Sequence, residues 1–326
     1  MKQLEDSHGR RFQYLRLSVT DACNFRCVYC LPNGFSKTTD EAPLSVSEIR
    51  NLVRAFVNMG FWKFRITGGE PTLRRDIVEI ARTISEIPGV RKLAMTTNGY
   101  RLKELAHPLK AAGITALNIS VDSLDAENFN RITGTKRFDE VMAGVRTAFD
   151  AGFKSLKINT VLLRGWNDFD LDRFLDWIKN VPISIRFIEL MRTGDNKDLY
   201  EKRHLSGGEI QLKLFQQGFK MLQRNPGDGP AVEFGHPEYE GRIGIIAPYS
   251  KDFCQTCNRL RVSSQGGLRL CLFGEKDFSL RPYLKDESQM GDLMSAVSGI
   301  IENKPEAHLL HEGKYGNTRE FASIGG

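Results

Sequence analysis

Three cysteines stand within eight positions near the start of the sequence, at Cys23, Cys27 and Cys30 of the segment DACNFRCVYCLP. A four-iron, four-sulfur cluster takes one thiolate on each iron, so three thiolates would leave one iron open to bind a small molecule. A structural zinc site needs a fourth ligand close by, and no cysteine or histidine occurs between Cys30 and His107. The spacing therefore favours a cluster with an open iron, and a zinc site or a packing role is the alternative.

A second set of three cysteines, Cys254, Cys257 and Cys271, lies in the segment CQTCNRLRVSSQGGLRLC. One interpretation is half of a zinc ribbon, completed by a distant histidine such as His236. A second cluster with an open iron explains the missing ligand better, because that iron could hold a substrate. The set therefore predicts a second iron–sulfur site.

Basic residues recur at alternating positions of several predicted strands and between the later cysteines. Residues two apart share one face of a strand, and arginine offers a planar fork of donors that matches phosphate oxygens. A packed barrel would place branched apolar residues inside, so this pattern predicts an open interior that holds an anionic ligand. Solvated strand ends are the alternative for any single residue. The candidates are Arg16, Lys63, Arg65, Lys157, Arg186, Arg259 and Arg261.

The composition is that of an ordinary globular protein, with 326 residues, of which 40% are hydrophobic and 26% charged. The first fifteen residues lack an apolar signal-peptide core, and no run approaches the ~18 apolar residues of a membrane span. We therefore expect a cytoplasmic protein whose cysteines are thiolate ligands or core residues rather than members of disulfides. The net charge of +6 is spread along the chain and forms no block typical of a nucleic-acid arm.

Strand-like and helix-like patterns alternate six times along the first two thirds of the chain, which predicts an α/β fold with a parallel sheet curled into a partial or complete barrel. The predicted strands are residues 14–19, 63–68, 93–98, 116–121, 156–161 and 185–190. Helical periodicity occupies segments such as 44–60, 101–113, 138–152 and 169–180, and Gly60, Gly113 and Gly152 fall where helices should end. The pattern changes after about residue 195. We predict one domain over 1–225 and a smaller C-terminal module over 226–326.

The segment CNFRCVYC, with an aromatic residue before its last cysteine, resembles the signature of radical S-adenosylmethionine (SAM) enzymes. The segment TGGEP (67–71) resembles the GGE motif of that family. The resemblance implies a partial (βα)6 TIM-like barrel, and it implies an open iron that chelates SAM, which is split to a 5′-deoxyadenosyl radical. The cofactor contacts that it implies are Tyr29, Gly68, Gly69, Glu70, Ser120 and Met191.

The two cysteine sets with interleaved arginines resemble the branch of this superfamily that cyclises GTP in the first step of molybdenum cofactor biosynthesis. Motifs such as FRITGGEPTLRRD, NISVDSLD and DFCQTCNRLRVS carry the likeness from end to end. It implies that the radical removes the 3′ hydrogen of the ribose, that the ribose carbon then attacks C8 of guanine, and that a second four-iron cluster holds the base. It adds Thr96 and Leu260 as GTP contacts and a catalytic role for Arg259. It also implies that Gly325 and Gly326 reach the active site.

The same resemblance implies an external electron donor and a downstream cyclic pyranopterin monophosphate synthase, with no nucleic-acid or membrane partner, and it leaves a homodimer open. One rival interpretation is a radical SAM peptide maturase, which generally carries more cysteines near its C-terminus. A rival from another class is a zinc-dependent nucleic-acid-binding module, whose affinity would depend steeply on salt.

Overall fold

The computed structural model describes residues 3–37, 39–224, 227–318 and 321–322 of the chain. The predicted alternation of strand and helix is confirmed. The six alternating strands are β1 (Tyr14–Ser18), β2 (Lys63–Thr67), β3 (Lys92–Thr97), β4 (Ala116–Ser120), β5 (Ser155–Leu162) and β6 (Ser184–Glu189). The α-helices are α1 (Val46–Asn58), α2 (Ile77–Ser85), α3 (Leu102–Ala111), α4 (Ala126–Thr133), α5 (Phe138–Asp150), α6 (Leu171–Lys179), α7 (Lys197–Arg203), α8 (Gly207–Gln216) and α9 (Met290–Ile301). Short 3-10 helices cover Pro71–Leu73, Arg281–Tyr283, Glu287–Gln289 and Leu310–Glu312.

Strands β1 to β6 lie side by side in chain order and run parallel. Six more strands extend the same sheet, namely β7 (Lys220–Met221), β8 (Val232–Gly235), β9 (Arg242–Ile246), β10 (Arg259–Val262), β11 (Gly267–Arg269) and β12 (Phe278–Ser279). Strand β9 pairs with β6 and β10 pairs with β1, both in parallel. Over the described part of the chain the order runs from β12 at one edge to β7 at the other, so the sheet is open. The predicted partial barrel is confirmed.

Local sequence signals set where the connecting helices begin and end. Helix α1 begins with a capping box, in which the Ser45 side chain accepts from the Glu48 amide and the Glu48 side chain accepts from the Ser45 amide. Gly60, Gly113 and Gly152 have φ angles of 92°, 94° and 69°, a region that glycine enters without a Cβ penalty. These three glycines confirm the predicted helix ends. None of the helices in the described ranges is long and apolar enough to cross a membrane.

The two faces of each central strand differ in chemistry. Leu15 and Ile66 point to the helical side and are fully buried in the main hydrophobic core. Lys63 and Arg65 lie on the opposite face of β2, and their exposed fractions are only 6% and 7%. Charges this deeply buried need partners or a charged ligand. The interior of the barrel is therefore cationic, as the strand alternation predicted.

The C-terminal segment is fastened to the barrel close to the first cysteines. Asp21, in the loop after β1, accepts hydrogen bonds from Ser264 Oγ at 2.7 Å and Gln265 Nε2 at 2.9 Å. Both donors lie in the turn between β10 and β11. The C-terminal strands thus share the barrel's sheet, while the division at residues 225 and 226 stays a prediction.

Candidate active site

The first cysteine set lines a cavity at the carboxyl ends of the central strands, the edge where barrel enzymes place their chemistry. We call it the N-terminal cysteine cavity. Of the residues predicted from sequence, its walls contain Cys23, Cys27, Cys30, Tyr29, Gly68, Gly69, Thr96, Ser120 and Met191. The fold therefore brings the three thiols together with all but one of the predicted cofactor contacts.

Gly68 and Gly69 allow the chain to pass close to its own cysteine loop. A Cβ on Gly68 would lie 2.3 Å from the carbonyl oxygen of Thr20, and one on Gly69 would lie 2.3 Å from that of Ala22. The Gly69 amide donates to the Thr20 carbonyl at 2.9 Å. The two glycines therefore place the cysteine loop against the end of β2, in addition to lining the cavity.

Glu70 is the predicted cofactor contact that does not line this cavity. Its carboxylate is buried and accepts from the Thr72 amide, the Thr97 hydroxyl at 2.8 Å and the Asn98 amide at 2.6 Å. It therefore joins the loops that follow β2 and β3. Contact between Glu70 and a ligand ammonium stays a prediction.

Tyr29 is anchored by a carboxylate that the sequence analysis missed. Its hydroxyl donates to Asp122 Oδ2 at 2.8 Å, and the other oxygen of Asp122 accepts from the Val161 amide at 2.9 Å. Burial raises the pKa of Asp122 to about 6. Burial also raises the pKa of the Cys23 thiol to about 11, so ligation by a metal centre would have to displace this proton.

A second cavity, which we call the cationic cavity, opens beside the first. Its walls contain all seven of the predicted cations together with the second cysteine set. These residues are Arg16, Lys63, Arg65, Lys157, Arg186, Arg259, Arg261, Cys254, Cys257 and Cys271. The predicted contact Leu260 is fully buried on the opposite face of β10 and lines neither cavity. A direct contact between Leu260 and a ligand therefore stays a prediction.

Strand register brings the arginines together. Arg16 is paired in register with Arg65 of β2 on one side and with Arg261 of β10 on the other. Arg65 Nε donates to the Tyr14 oxygen at 2.5 Å, and its Nη1 donates to Thr96 Oγ1 at 3.0 Å. The cationic cavity thus contains three neighbouring arginine side chains.

Tyr14 lies among these cations and was not predicted. Burial disfavours its ionised form, but the charges of Arg65, Arg16 and Lys63 outweigh burial and lower the pKa of Tyr14 to about 7. The ammonium of Lys63 stands 4.6 Å from the centroid of the Tyr14 ring. Tyr14 is therefore an ionisable group inside the cationic cavity.

Glu233 of β8 supplies a carboxylate to two of the cations. Its Oε1 lies 3.3 Å from Lys157 Nζ and 3.4 Å from Arg186 Nη2. Burial and the nearby charge of Arg186 together lower the pKa of Lys157 to about 8, against the opposing effect of Glu233. Glu233 therefore balances part of the positive charge of the site.

Lys92 and Asn159 also line the cationic cavity and were missed. Each lies on an inward face of its strand: Lys92 is paired in register with Lys63, and Asn159 with Arg186. A signal for Lys92 was present, because it lies four residues before Thr96 on the same face of β3. The predicted strand began one residue too late to include it.

The two cavities meet along a shared wall. Asn159, Ile188 and Met191 line both of them. The second cysteine set lies in the cationic cavity, where burial opposes ionisation of Cys257 but Arg259 and Lys304 outweigh it and lower its pKa to about 6. A small molecule in one cavity would therefore lie next to a molecule in the other.

The cysteines fit iron–sulfur clusters. None of the six is in a disulfide, and each is partly exposed. Within the described ranges, no three Cys, His, Asp or Glu residues are grouped so that they could hold a single metal ion, whereas a cluster binds each thiolate to a different iron. His236, the alternative zinc ligand, packs on Phe219 and Tyr239 and lines neither cavity.

The last predicted site residues, Gly325 and Gly326, lie outside the described residues. Nearby, Phe321 and Ala322 line the N-terminal cysteine cavity, with exposed fractions of 7% and 3%. The C-terminal segment therefore lies at the N-terminal cysteine cavity at Phe321 and Ala322, the last residues that the structure describes.

Comparison with known proteins gives concordant results. Residues 17–178 match the Radical SAM superfamily model, and residues 183–310 match the model named Molybdenum Cofactor Synthesis C. The GTP 3′,8-cyclase of Pectobacterium atrosepticum is 52% identical and covers 100% of both chains, and that of Cronobacter sakazakii is 51% identical over 99% of both chains.

Solved structures share the fold at much lower identity. The crystal structure of Streptococcus suis SuiB is 17% identical with a TM-score of 0.55, over 88% of this chain and 69% of the other. The structure titled native anSMEcpe with bound AdoMet is 16% identical with a TM-score of 0.54, over 79% of this chain and 74% of the other. These likenesses support the α/β architecture alone.

Proposed function

Since this chain belongs to the GTP 3′,8-cyclase family of radical SAM enzymes, we propose that it joins ribose C3′ to guanine C8 of GTP in the first step of molybdenum cofactor biosynthesis. The observation that carries the proposal is the shared wall of Asn159, Ile188 and Met191 between a three-thiol cavity and a cationic cavity. A radical formed in one cavity would have only a short path to a nucleotide in the other.

The cofactors are SAM and four-iron, four-sulfur clusters, which membership of the family implies. We propose Cys23, Cys27 and Cys30 as ligands of one cluster and the later cysteines as ligands of the other. When bound, the first cluster and SAM supply the radical that removes the 3′ hydrogen atom. The remaining roles belong to side chains of this chain.

The cationic side chains would bind and orient the triphosphate. Arg16, Arg65 and Arg261 lie in register across three strands, so their donors can meet several phosphate oxygens at once. In a partly buried site, charge attraction is stronger than in water. Lys157 and Arg186 would exchange the carboxylate of Glu233 for phosphate oxygens. Binding of the triphosphate would thus fix the position of the nucleotide in the cationic cavity.

The second cysteine set would hold the guanine base, and Arg259 beside it would orient the reacting nucleotide. Tyr29, held by Asp122, would fix the position of the cysteine loop next to SAM. Phe321 and Ala322 on the cavity wall support a tail that continues towards the site, where Gly325 and Gly326 would act. Each of these side chains positions a group or excludes water from the radical.

The partners follow from the proposed chemistry. An external donor must supply the reducing electron, and a separate synthase must rearrange the cyclised product to cyclic pyranopterin monophosphate. A location in the cytoplasm and the absence of nucleic-acid partners belong to the same proposal.

Anaerobic reconstitution with iron and sulfide, followed by incubation with SAM, reductant and GTP, tests this function. We expect about eight irons per chain, and we expect 5′-deoxyadenosine together with a cyclised guanosine nucleotide. Recovery of 5′-deoxyadenosine without a cyclised nucleotide would reject GTP as the substrate. ATP in place of GTP is the matched control, since it has the same triphosphate and a different base.

A further inference from the structure

Lys304 is a buried cation that the proposed mechanism does not use. Its exposed fraction is 4%, and its Nζ donates to the main-chain carbonyl oxygen of Leu270, the residue before Cys271. The ammonium also stands 5.6 Å from the centroid of the Phe12 ring. Lys304 lines neither the cationic cavity nor the N-terminal cysteine cavity, so a ligand in those cavities does not contact it.

Lys304 interacts electrostatically with the second cysteine set from outside the cationic cavity. Electrostatic interactions link it with Cys254, Cys257 and Cys271. Its hydrogen bond to the Leu270 carbonyl holds the ammonium beside the chain that leads into Cys271. Lys304 therefore places a buried positive charge next to this set without lining either cavity.

The chain around Lys304 is held in place by a second cation whose charge is balanced. Arg10 donates to the carbonyl oxygens of Pro305 at 2.7 Å and Glu306 at 2.6 Å, and it forms an ion pair with Asp6 at 2.7 Å. Because Asp6 offsets Arg10, this contact positions the segment and adds little net charge. The contacts of Arg10 with Pro305 and Glu306 thus hold the neighbouring Lys304 in position near the thiols.

We propose that Lys304 is a positioning residue that stabilises the iron–sulfur cluster bound by Cys254, Cys257 and Cys271 and raises its reduction potential. The potential of such a cluster depends on the net charge and hydrogen bonds around it. A fixed cation stabilises the reduced state, which is more negative, over the oxidised state. The inference rests on the proposed function only in assigning a cluster to this set.

Redox titration of the reconstituted holoenzyme without GTP, followed by electron paramagnetic resonance, tests this role. Lys304→Met removes the charge, Lys304→Arg keeps it, and Lys314→Met removes an exposed lysine that pairs with Glu312 at 2.7 Å. We expect Lys304→Met to lower the ratio of reduced to oxidised second centre about tenfold at a fixed potential. For one electron this corresponds to about 59 mV. The first centre is the internal reference.

The expected pattern is one lowered potential in Lys304→Met, with both potentials close to wild type in Lys304→Arg and Lys314→Met. Loss of the second cluster in Lys304→Met, with both clusters kept in Lys304→Arg, also supports the proposal, because Met removes the charge and the donor to Leu270 whereas Arg keeps both. Unchanged potentials in Lys304→Met, or equal loss of the cluster in both Lys304 variants, would overturn it. A wild-type chain that takes up only one cluster would contradict the proposed function itself, and this inference with it.

Discussion

Arg65 Nε donates to the hydroxyl oxygen of Tyr14 at 2.5 Å, and the two residues stand on neighbouring strands and line the cationic cavity. The same guanidinium reaches Thr96, which lines the N-terminal cysteine cavity. Arg65 therefore connects the two cavities, and Tyr14 fixes its orientation.

Tyr14→Phe should weaken GTP binding, because Arg65 loses the oxygen that orients it. The loss of one such hydrogen bond is worth about 1 kcal/mol, or roughly a fivefold increase in Kd. Equilibrium binding of GTP to the reconstituted enzyme measures the change. Tyr239→Phe is the control, since Tyr239 lines neither cavity. An unchanged Kd in Tyr14→Phe would remove Tyr14 from the binding site.

Ionisation of Tyr14 should make the free energy of unfolding depend on pH. Its pKa is lowered to about 7 in the folded chain, against about 10 in the unfolded chain. Between these values the unfolded chain holds a proton that the folded chain has lost, so the Tyr14 contribution to the free energy of unfolding increases as pH rises from about 7 to about 10. Urea unfolding of the cluster-free protein at both ends of this window measures it. The difference between wild type and Tyr14→Phe should grow with pH, and a constant difference would contradict the lowered pKa.

Glu233→Gln should destabilise the protein and tighten GTP binding. Without the carboxylate, Lys157 and Arg186 are left buried and uncompensated, at a cost of about 3 kcal/mol in the free energy of unfolding. GTP should bind about tenfold more tightly, since it no longer competes with that charge. Glu209→Gln, which removes an exposed partner of Arg164, should change neither quantity. Weaker GTP binding in Glu233→Gln would show that the carboxylate positions the cations instead.

Gly69→Ala should prevent assembly of the first cluster. The added Cβ would lie 2.3 Å from the Ala22 carbonyl oxygen and 2.5 Å from that of Asp21, so the cysteine loop must move away. Iron content should fall from about eight to about four per chain. Gly291→Ala, where a Cβ meets nothing within 4 Å, is the matched control and should keep full iron content. Full iron content in Gly69→Ala would mean that the cysteine loop can move away from the added Cβ and still bind the cluster.

Substitutions in the two cysteine sets should impair different steps of the reaction. Cys27→Ala should abolish formation of 5′-deoxyadenosine, because the site that cleaves SAM is incomplete. Cys271→Ala should keep cleavage of SAM and lose the cyclised nucleotide, because the base is no longer held. Iron analysis should give about four irons per chain in each variant. A Cys271→Ala protein that still cyclises GTP at the wild-type rate would refute the assignment of the second set.

The repeating parts of this fold were predictable from sequence, and the long-range parts were not. Hydrophobic periodicity and the glycines after α1, α3 and α5 predicted the six-strand barrel, and alternation within KFRIT predicted the inward cations. The parallel pairing of β10 with β1 joins residues far apart in the chain, and no local pattern specifies it. Glu233 and Asp122 were missed for the same reason, because their partners Lys157, Arg186 and Tyr29 are distant in sequence.

The measurement that tests the account most directly uses GTP carrying deuterium at the ribose 3′ position. The reconstituted enzyme is incubated with this substrate, SAM and reductant, and the 5′-deoxyadenosine is examined by mass spectrometry. The account predicts deuterium in 5′-deoxyadenosine and its loss from the cyclised nucleotide. Unlabelled 5′-deoxyadenosine beside a product that keeps its deuterium would contradict it.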